Sequence, residues 1–406
     1  MSILRIFIFL CVAGSLVAQE NQLAVAFEDL PRLIEQSSPQ FKAINARLEL
    51  TKFERDAALQ WSNPELNFAL EKVKDSGVEE TEQMLFIGKT IAMPWYYWQN
   101  RKTWQSAIES AKFEQRHKVN QLLAAARNEY VQLKLLQNLK QQLAGLKGMM
   151  RDLSAAIQAR HEEGAISNLE AKLLSMSLFE LEADLLQTEQ NHRETANRLR
   201  YFLGMSSDSK IMLTDSIGFK SVQLNAPAQP IFLQNHPGLQ AAESRLANLG
   251  ERIKLEKRGI VPAIALQGGY KKINPGWQGY VLGFSLPLPF FNWNRPQIEK
   301  LKVESAIQST ENAAYKRQIL ANFDNLIAII QTNSELLRRN NFELQSDKIA
   351  DDLRAAYEEG ALSLPEFLSA IQSVRAGSKM YTIQLTEYYQ AIFELETISG
   401  QNLVTF

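Results

Sequence analysis

The pattern of hydrophobic and polar positions divides the chain into long helical segments and short alternating ones. Helical spacing is clearest where apolar residues recur every three or four positions, as in a coiled coil. That seam consists of Leu122, Ala126, Tyr130, Leu133, Leu136, Leu139, Leu143, Leu146, Met150, Leu153 and Ile157. We predict long helices from about Asn100 to Glu163 and from Pro296 to Glu359, each roughly 90 to 100 Å long. Shorter returning helices are predicted from Asn168 to Tyr201 and from Leu364 to Thr397.

The second long helix has a less regular seam. Its apolar positions are Phe323, Ile327, Ile330, Leu337 and Leu344, and its polar interruptions are Asn333, Ser334, Asn340 and Asn341. Because unpaired polar groups cost stability in a dry core, these residues favour a helical wall with water on one side. A flexible exposed stretch is the alternative. Methionines such as Met149, Met150 and Met176 fall on helical seams and are predicted to be core residues.

Alternating apolar and polar residues predict two pairs of strands. The first pair covers residues 66–71 and 85–91, and the second covers residues 264–270 and 280–286. Each run has about 10 residues, the length that a tilted strand needs to cross a bilayer. The connecting segments, Lys72 to Glu82 and Lys271 to Gly279, are polar and are predicted to be loops facing water.

Aromatic residues cluster just after each strand pair. The clusters are Trp95, Tyr96, Tyr97 and Trp98 in the first pair, and Phe290, Phe291 and Trp293 in the second. Aromatic side chains gather where a β-barrel meets lipid head groups, so we predict a membrane interface at both places. The alternative is a pair of soluble hairpins in which the aromatic residues plug a core.

The second half of the chain copies the first at a shift of about 196 residues. The matching segments are Ser38-Pro39 with His236-Pro237, Asn63-Pro64 with Val261-Pro262, residues 94–98 with 289–293, residues 162–167 with 358–363, and Leu203-Gly204 with Ser399-Gly400. These matches fall in order, which predicts an internal duplication. We place repeat one at 30–204, an equatorial linker at 205–230 and repeat two at 231–401.

The N-terminus has the order of a secretory signal peptide. Arg5 precedes the apolar run from Ile6 to Val12, and small residues follow up to Ala18. We predict a signal peptide over 1–18 and one mature domain over 19–406. A membrane anchor is the alternative, but the apolar run is shorter than the roughly 20 residues that a spanning helix needs. The only cysteine, Cys11, lies inside this run, so the mature chain has no thiol chemistry.

Composition and charge narrow the function further. The formal net charge is −1 and no basic patch is present, which argues against a nucleic-acid partner. His117, His161, His192 and His236 are scattered and lack metal-site spacing. The sequence therefore predicts no metal site, no cofactor and no enzymatic activity.

After the leader, no apolar stretch approaches membrane-spanning length, so strands must make any passage through a membrane. One chain supplies only four strands, too few for a closed membrane barrel. Two copies would give a barrel filled by its own side chains, whereas three would leave a lumen. We therefore predict a homotrimer.

Each long helix ends at the motif Glu-Glu-Gly-Ala-(Ile/Leu)-Ser, at residues 162–167 and 358–363. Together, the signal peptide, the duplicated helix-strand-strand-helix halves and this hairpin-end motif resemble the TolC family of outer membrane factors. The resemblance implies a mainly α fold with membrane β, in which a trimeric 12-stranded β-barrel continues into a long periplasmic α-helical barrel. It implies a passive export channel in the cell outer membrane, in contact with outer membrane lipid. Its partners would be a periplasmic adaptor and an inner membrane pump, commonly of the resistance-nodulation-division type.

Two motifs refine this resemblance. Asn63-Pro64-Glu65-Leu66 and Gly283-Phe284-Ser285-Leu286-Pro287-Leu288-Pro289 are similar to the heavy-metal cation efflux (CzcC-like) subgroup. The implied cargo is heavy-metal cations, with drugs or proteins of another pump class as the alternative. A non-conducting, structural coiled-coil envelope protein is the alternative from a different class.

The resemblance also implies two kinds of site at the hairpin ends. Adaptor-docking tips are expected at Gly164, Ala165, Ile166, Ser167, Gly360, Ala361, Leu362 and Ser363. A periplasmic gate is expected from Glu170, Glu366, Ser369, Tyr357 and Arg354. Three-fold symmetry would turn the glutamates into acidic rings that favour cations. The alternative is that both are ordinary solvated charges favoured by the helix dipole.

Overall fold

The computed structural model describes residues 22–75, 77–162, 167–222, 233, 235–274, 276–291, 293–339, 342–400, 403 and 404. The predicted signal peptide over 1–18 lies outside the described residues. The same is true of the tip residues Gly164, Ala165 and Ile166 and of the linker segment 223–230.

The chain is mainly helical. The helices are α1 (Leu30–Ser37), α2 (Pro39–Leu59), α3 (Pro94–Glu162), α4 (Asn168–Leu203), α5 (Pro237–Arg258), α6 (Arg295–Arg339), α7 (Phe342–Glu358) and α8 (Leu364–Ser399). None of the helices among the described residues is both long enough and apolar enough to cross a membrane.

Helix α3 has 69 residues, which gives a rod of about 100 Å. It begins at Pro94, not near Asn100 as predicted, so the first aromatic cluster lies on its first turn. The carbonyl of Met93 accepts hydrogen bonds from the backbone N–H groups of Tyr96 and Tyr97. Proline is favoured at the first position of a helix because its missing N–H has no partner there, which explains the early start.

Four of the strands form one antiparallel sheet in the order β2-β3-β5-β6. They are β2 (Glu65–Asp75), β3 (Val78–Ile91), β5 (Ile264–Asn274) and β6 (Trp277–Ser285). Strands β2 and β5 begin just after Pro64 and Pro262, where a proline removes no ladder hydrogen bond. Two further strands, β1 (Gln22–Val25) and β4 (Lys210–Leu213), pair in parallel elsewhere.

The predicted loops over Lys72 to Glu82 and Lys271 to Gly279 were wrong. Strand pairing continues through both segments, with Asp75 opposite Val78 and Ile273 opposite Trp277. Only a tight turn remains in each hairpin, where Gly77 and Gly276 take positive φ angles of 92° and 124°. Backbone pairing does not require apolar side chains. The polar segments are therefore exposed continuations of the strands and not the loops that follow them.

The second long helical region is described as α6 and α7, with residues 340 and 341 outside the described residues. Asn333 is only 7% exposed, so its predicted water-facing position was wrong. It lies on the buried seam that includes Phe323, Ile330 and Leu337. Between Phe323 and Leu337 the buried seam therefore includes a polar residue.

Two hydrophobic cores lie along α3. The first, at its middle, joins Leu122 to Leu135 with α1, α6 and α8. The second, toward its C-terminal end, joins Leu139 to Ile157 with α4 and α8. The seam predicted for α3 is confirmed: Leu136 is buried, and each of the other seam residues is buried in or packed against one of these cores. Met176 was wrongly predicted to be core, because its side chain is 61% exposed on α4.

Polar contacts fasten the segment after β4 to the middle of the bundle. The Asp215 carboxylate accepts hydrogen bonds from the Phe27 N–H at 2.7 Å and the Tyr130 hydroxyl at 2.5 Å. The hydroxyls of Tyr388 and Tyr389 on α8 donate to the carbonyls of Lys220 and Gly218 at 2.9 and 2.6 Å. Buried backbone groups need such partners, so these side chains hold residues 215–222 against the helices.

We expect Tyr130→Phe to destabilise the chain by about 1 to 3 kcal/mol, because it leaves a part-buried Asp215 oxygen without this donor. The measurement is the denaturation midpoint of the protein in detergent. The matched control is Tyr201→Phe, which removes the same hydroxyl from a side chain that is exposed. Equal midpoints for the two variants would contradict a role for this contact.

Candidate functional site at the sheet and the hairpin ends

The β2-β3-β5-β6 sheet has one apolar face, although it packs on no core. The register places Phe68 opposite Leu85, Leu85 opposite Tyr270, and Tyr270 opposite Tyr280. Residues directly opposite each other share a face, so these four form an apolar row across all four strands. The full face comprises Leu66, Phe68, Leu70, Leu85, Ile87, Ile91, Leu266, Tyr270, Tyr280, Leu282 and Phe284, all exposed. Tyr280 is 89% exposed, and none of the residues that the structure describes covers this face.

The opposite face of the sheet is mostly small or polar. It carries Asn67, Ala69, Glu71, Glu82, Gly88, Gln267, Gly269, Lys271, Gly279 and Gly283, together with larger apolar residues that include Met84, Phe86, Trp277 and Val281. Glu82 and Lys271 form an ion pair across β3 and β5. A Cβ at Gly269 would lie 2.2 Å from the Leu85 carbonyl oxygen, so close strand approach requires glycine there. The sheet therefore has one continuous apolar face and one face on which small and polar residues predominate.

Both edges of this sheet are open within the described residues. Strand β2 pairs only with β3, and strand β6 pairs only with β5. Each outer edge presents a row of backbone N–H and C=O groups that need partners. The apolar face and the open edges lie on the same sheet.

The two aromatic clusters are largely exposed. On the first turn of α3, Trp98 is 67% exposed, and the Trp95 carbonyl accepts a hydrogen bond from Arg258 at 3.1 Å. In the segment between β6 and α6, Phe291 is 100% exposed, and Phe290 and Trp293 are also exposed. These exposures argue against the alternative in which the aromatic residues plug a core.

At the first hairpin end, Ser167 and Glu170 cap the N-terminus of α4. The Ser167 hydroxyl oxygen accepts the Glu170 N–H at 3.2 Å, and the Glu170 carboxylate accepts the Ser167 N–H at 2.9 Å. The carboxylate also accepts the Ser167 hydroxyl at 2.8 Å. These backbone and hydroxyl hydrogen bonds lower the pKa of Glu170. This reciprocal arrangement is a capping box.

The second hairpin end repeats this contact. The Glu366 carboxylate accepts hydrogen bonds from the hydroxyl and the N–H of Ser363 at 2.6 and 2.9 Å, which lower the pKa of Glu366. Gly360 has a φ of 77°, the left-handed conformation that ends α7. The Ala361 N–H then donates to the Ala356 carbonyl at 2.8 Å. Ala361 and Ser363 are exposed and Leu362 is half-buried, so the turn presents small side chains at its surface.

The other predicted gate residues lie nearby but do not join Glu366. Arg354 pairs with Glu358 at 2.8 Å, and the Tyr357 ring packs 5.2 Å from the Phe367 ring. Ser369 is exposed on α8. Among the described residues, no hydrogen bond or ion pair connects Arg354 or Tyr357 with Glu366. The predicted closing network is therefore not formed within one chain.

The two returning helices, α4 and α8, contact each other at matching positions of the proposed repeats. Arg375 pairs with Glu180 at 2.9 Å, and Lys379 pairs with Asp184 at 2.7 Å. Both pairs have a separation of 195 residues. Basic residues on α8 thus face acidic residues on α4, which sets the relative register of the two hairpins.

Sequence reasoning missed one cluster because it treated the histidines as scattered. The rings of His117 and His236 lie 5.8 Å apart, and Tyr315 contacts His236. His236 is 3% exposed, and its Nδ1 accepts the Leu239 N–H at 3.0 Å. Burial lowers the pKa of His236 to about 4, so this side chain is a neutral helix cap at pH 7. His236-Pro237 was the available signal, since a capping residue precedes a proline at N1.

Metal binding finds no support in this cluster. Within the part of the chain that the structure describes, no three His, Cys, Asp or Glu side chains group so that they could hold a metal ion.

Comparison with known proteins identifies the fold. No family model matches the sequence, and no curated protein matches it significantly. Solved structures do match. The outer-membrane channel OprN superposes with a TM-score of 0.75 at 15% identity, covering 92% of this chain and 89% of that one. The chain has an outer membrane channel fold.

Two further structures agree. CusC, described for its transmembrane channel formation, has a TM-score of 0.74 at 14% identity and covers 96% of this chain and 95% of its own. The MtrE outer membrane channel of Neisseria gonorrhoeae has a TM-score of 0.72 at 14% identity, covering 93% of this chain and 89% of that chain. The TolC-like fold predicted for one chain is thus confirmed, and these neighbours are channels, not enzymes.

The cap geometry generates a pH prediction for Glu366→Gln. Glutamine retains the hydrogen-bonding shape but loses the charge, so the variant should be less stable than the original protein at pH 7. Because the folded pKa of Glu366 is lowered, its contribution is complete above the ordinary glutamate pKa and disappears as the pH falls through the folded value.

The measurement is the difference in thermal midpoint between the two proteins from pH 7 down to pH 3. The control is Glu359→Gln, an exposed carboxyl at the same turn. A more stable Glu366→Gln variant at pH 7 would mean that repulsion between carboxylates outweighs the cap.

Proposed function

We propose that this protein is the outer membrane channel subunit of a tripartite efflux system. The sheet forms part of a membrane β-barrel, and the helices extend into the periplasm as a tunnel. The observation that carries the proposal is the four-stranded sheet with one exposed apolar face and two open edges. Hydrocarbon is the environment that suits such a face, and pairing with further strands is the only way to satisfy the edges there.

The edges support assembly with further copies of the chain. In lipid, an unpaired backbone group costs several kcal/mol, so each β2 edge needs a β6 edge from a neighbour. Three copies contribute twelve strands, a number that leaves a lumen lined by the small and polar face. Exposed apolar residues on α4 support lateral packing of the helices as well. They are Leu169, Met176, Phe179 and Leu186, spaced along one side of the helix.

The aromatic residues on α3 and before α6 support a position at the membrane boundary. Trp and Tyr favour the head-group layer because they combine an apolar ring with a polar group. These residues lie at the end of the sheet that faces the helices, and we assign that end to the periplasmic side of the barrel.

The hairpin ends suit two roles in this assembly. Residues 164–167 and 360–363 form the docking tips for the helical hairpins of a periplasmic adaptor, which connects the channel with an inner membrane pump of the resistance-nodulation-division type. Glu170 and Glu366 supply acidic rings at the periplasmic mouth, and the caps keep both carboxylates ionised. The cargo that we propose is heavy-metal cations, since the acidic rings and the motifs around Pro64 and Pro289 both favour it.

Conductance across a planar bilayer tests the channel proposal directly. We expect heat-stable trimers in outer membrane fractions and a cation-selective current from the purified protein. Glu366→Gln should reduce the cation preference, whereas Glu359→Gln, in the same turn but outside the capping box, should leave it nearly unchanged. A protein that inserts without any current would favour a structural envelope role, and equal effects of the two variants would overturn the ring.

Adaptor docking is tested by Ala361→Trp. This exposed residue has an ordinary backbone conformation, so a bulky side chain adds volume without the strain that substitution of Gly360 would bring. We expect crosslinking to the adaptor to fall by at least about tenfold, which corresponds to roughly 1.4 kcal/mol, while trimers persist. Ala313→Trp on α6 is the matched control, since Ala313 is also exposed. Unchanged crosslinking of Ala361→Trp would remove this turn from the docking surface.

A further inference from the structure

A large cleft lies where the sheet meets the helices. It has a volume of about 590 Å³ and is enclosed by the end of α2, the end of β3 and the first turns of α3. Its walls are predominantly apolar and include Trp61, Ile91, Tyr97, Trp98 and Ala263. Ile91 belongs to the exposed apolar face of the sheet, so the cleft continues the surface that we place in lipid.

One positively charged side chain, that of Lys89, lines this cleft. Lys89 lies on the apolar face of β3, opposite Leu266, and its ammonium group sits 4.7 Å from the centre of the Trp61 ring. Its side chain is half-buried, and among the described residues no carboxylate pairs with it. A lysine on an apolar face is costly without an anionic partner, and at a membrane boundary it extends toward the head groups.

Further basic residues lie on the side of this cleft that is away from the sheet. A second cleft of about 880 Å³ shares Leu59 and Tyr97 with the first. Its charged lining is mostly basic and consists of Arg55, Arg101, Lys112 and Arg116 with one carboxylate, Glu109. Arg55 pairs with Asp56 at 2.6 Å. Arg101 is exposed, and no carboxylate among the described residues pairs with it. Moving from sheet to helices, the surface thus changes from apolar to aromatic and then to basic.

We propose that these joined clefts bind a phospholipid with an anionic head group, one molecule to each subunit. The acyl chains extend from Ile91 along the apolar face of the sheet. The head group occupies the aromatic part of the cleft beside Trp98, with the Lys89 ammonium group on its sheet side and Arg101 on its helix side. This inference rests on the proposed membrane position of the sheet. It goes beyond a general aromatic boundary, because it assigns a defined groove to one class of lipid.

The order of surfaces carries the assignment. In a phospholipid, the apolar acyl chains, the glycerol and the charged phosphate follow one another in the same order as these protein surfaces. Free phosphate would use only the cations and leave the apolar walls in water. A zwitterionic lipid would fill the apolar part but gain less from two cations that lack carboxylate partners.

The test uses full-length protein, delipidated in a neutral detergent and examined by native mass spectrometry and thermal unfolding. The added probes are phosphatidylglycerol, phosphatidylcholine and inorganic phosphate. We expect phosphatidylglycerol to bind and to raise the unfolding midpoint, phosphatidylcholine to bind more weakly, and inorganic phosphate to have no effect. Lys89→Gln and Arg101→Gln should each weaken phosphatidylglycerol binding about fivefold, as expected for removal of one cation near an anionic lipid.

Two further variants distinguish lipid binding in the groove from general attraction between basic residues and an anionic lipid. Lys102→Gln removes a cation from the adjacent position, where it pairs with Glu251 at 3.5 Å, and should leave lipid binding unchanged. Trp98→Ala should weaken the binding of both lipids, because it removes an apolar wall. Equal binding of the two lipids, or an equal loss in Lys102→Gln, would overturn the proposal. An absence of phosphatidylglycerol binding would also overturn the proposal, and this result is expected if a neighbouring subunit fills the groove.

Bilayer conductance of the same variants keeps this inference separate from the proposed function. Lys89→Gln and Arg101→Gln should still conduct while losing phosphatidylglycerol. A protein that binds phosphatidylglycerol as expected but never conducts would support the lipid groove and contradict the channel. A protein that conducts but shows no preference for phosphatidylglycerol would support the channel and overturn the groove.

Discussion

Backbone pairing at the two sheet edges is the constraint on which the rest of this molecule depends. Strands β2 and β6 each have one partner within the described chain, and the apolar face between them has no cover. An open edge is tolerable in water but not in hydrocarbon, where nothing else supplies hydrogen bonds. The proposed membrane position and the proposed assembly therefore rest on the same feature.

Helix α3 connects this incomplete sheet with the hairpin ends over about 100 Å. Its two buried cores are separate, and the contacts of Asp215, Tyr388 and Tyr389 secure the segment after β4 beside the first of them. Rigid packing along one continuous helix keeps the hairpin ends at a fixed distance from the sheet. The charge pairs between α4 and α8 then set the relative position of the two ends.

At the hairpin ends, local stability and proposed function use the same atoms. Glu170 and Glu366 close the first turns of α4 and α8 through Ser167 and Ser363, and these contacts keep both carboxyls ionised. The capping hydrogen bonds fix the position of each carboxylate. The proposed acidic rings also require carboxylates at fixed positions. Arg354 pairs with Glu358 instead, and no hydrogen bond or ion pair joins it to Glu366 among the described residues.

Local periodicity by itself determined the buried seam of α3 and the starts of β2 and β5 to within one residue, because these depend on near neighbours in sequence. Tertiary structure alone decided the extension of the strands through polar segments, the burial of Asn333 and the meeting of His117 with His236. Each of these depends on partners far along the chain: a facing strand, a neighbouring helix or a second ring. Spacing within one segment carries no information about such partners, so the apolar-to-basic cleft beside Lys89 also became visible only in the folded chain.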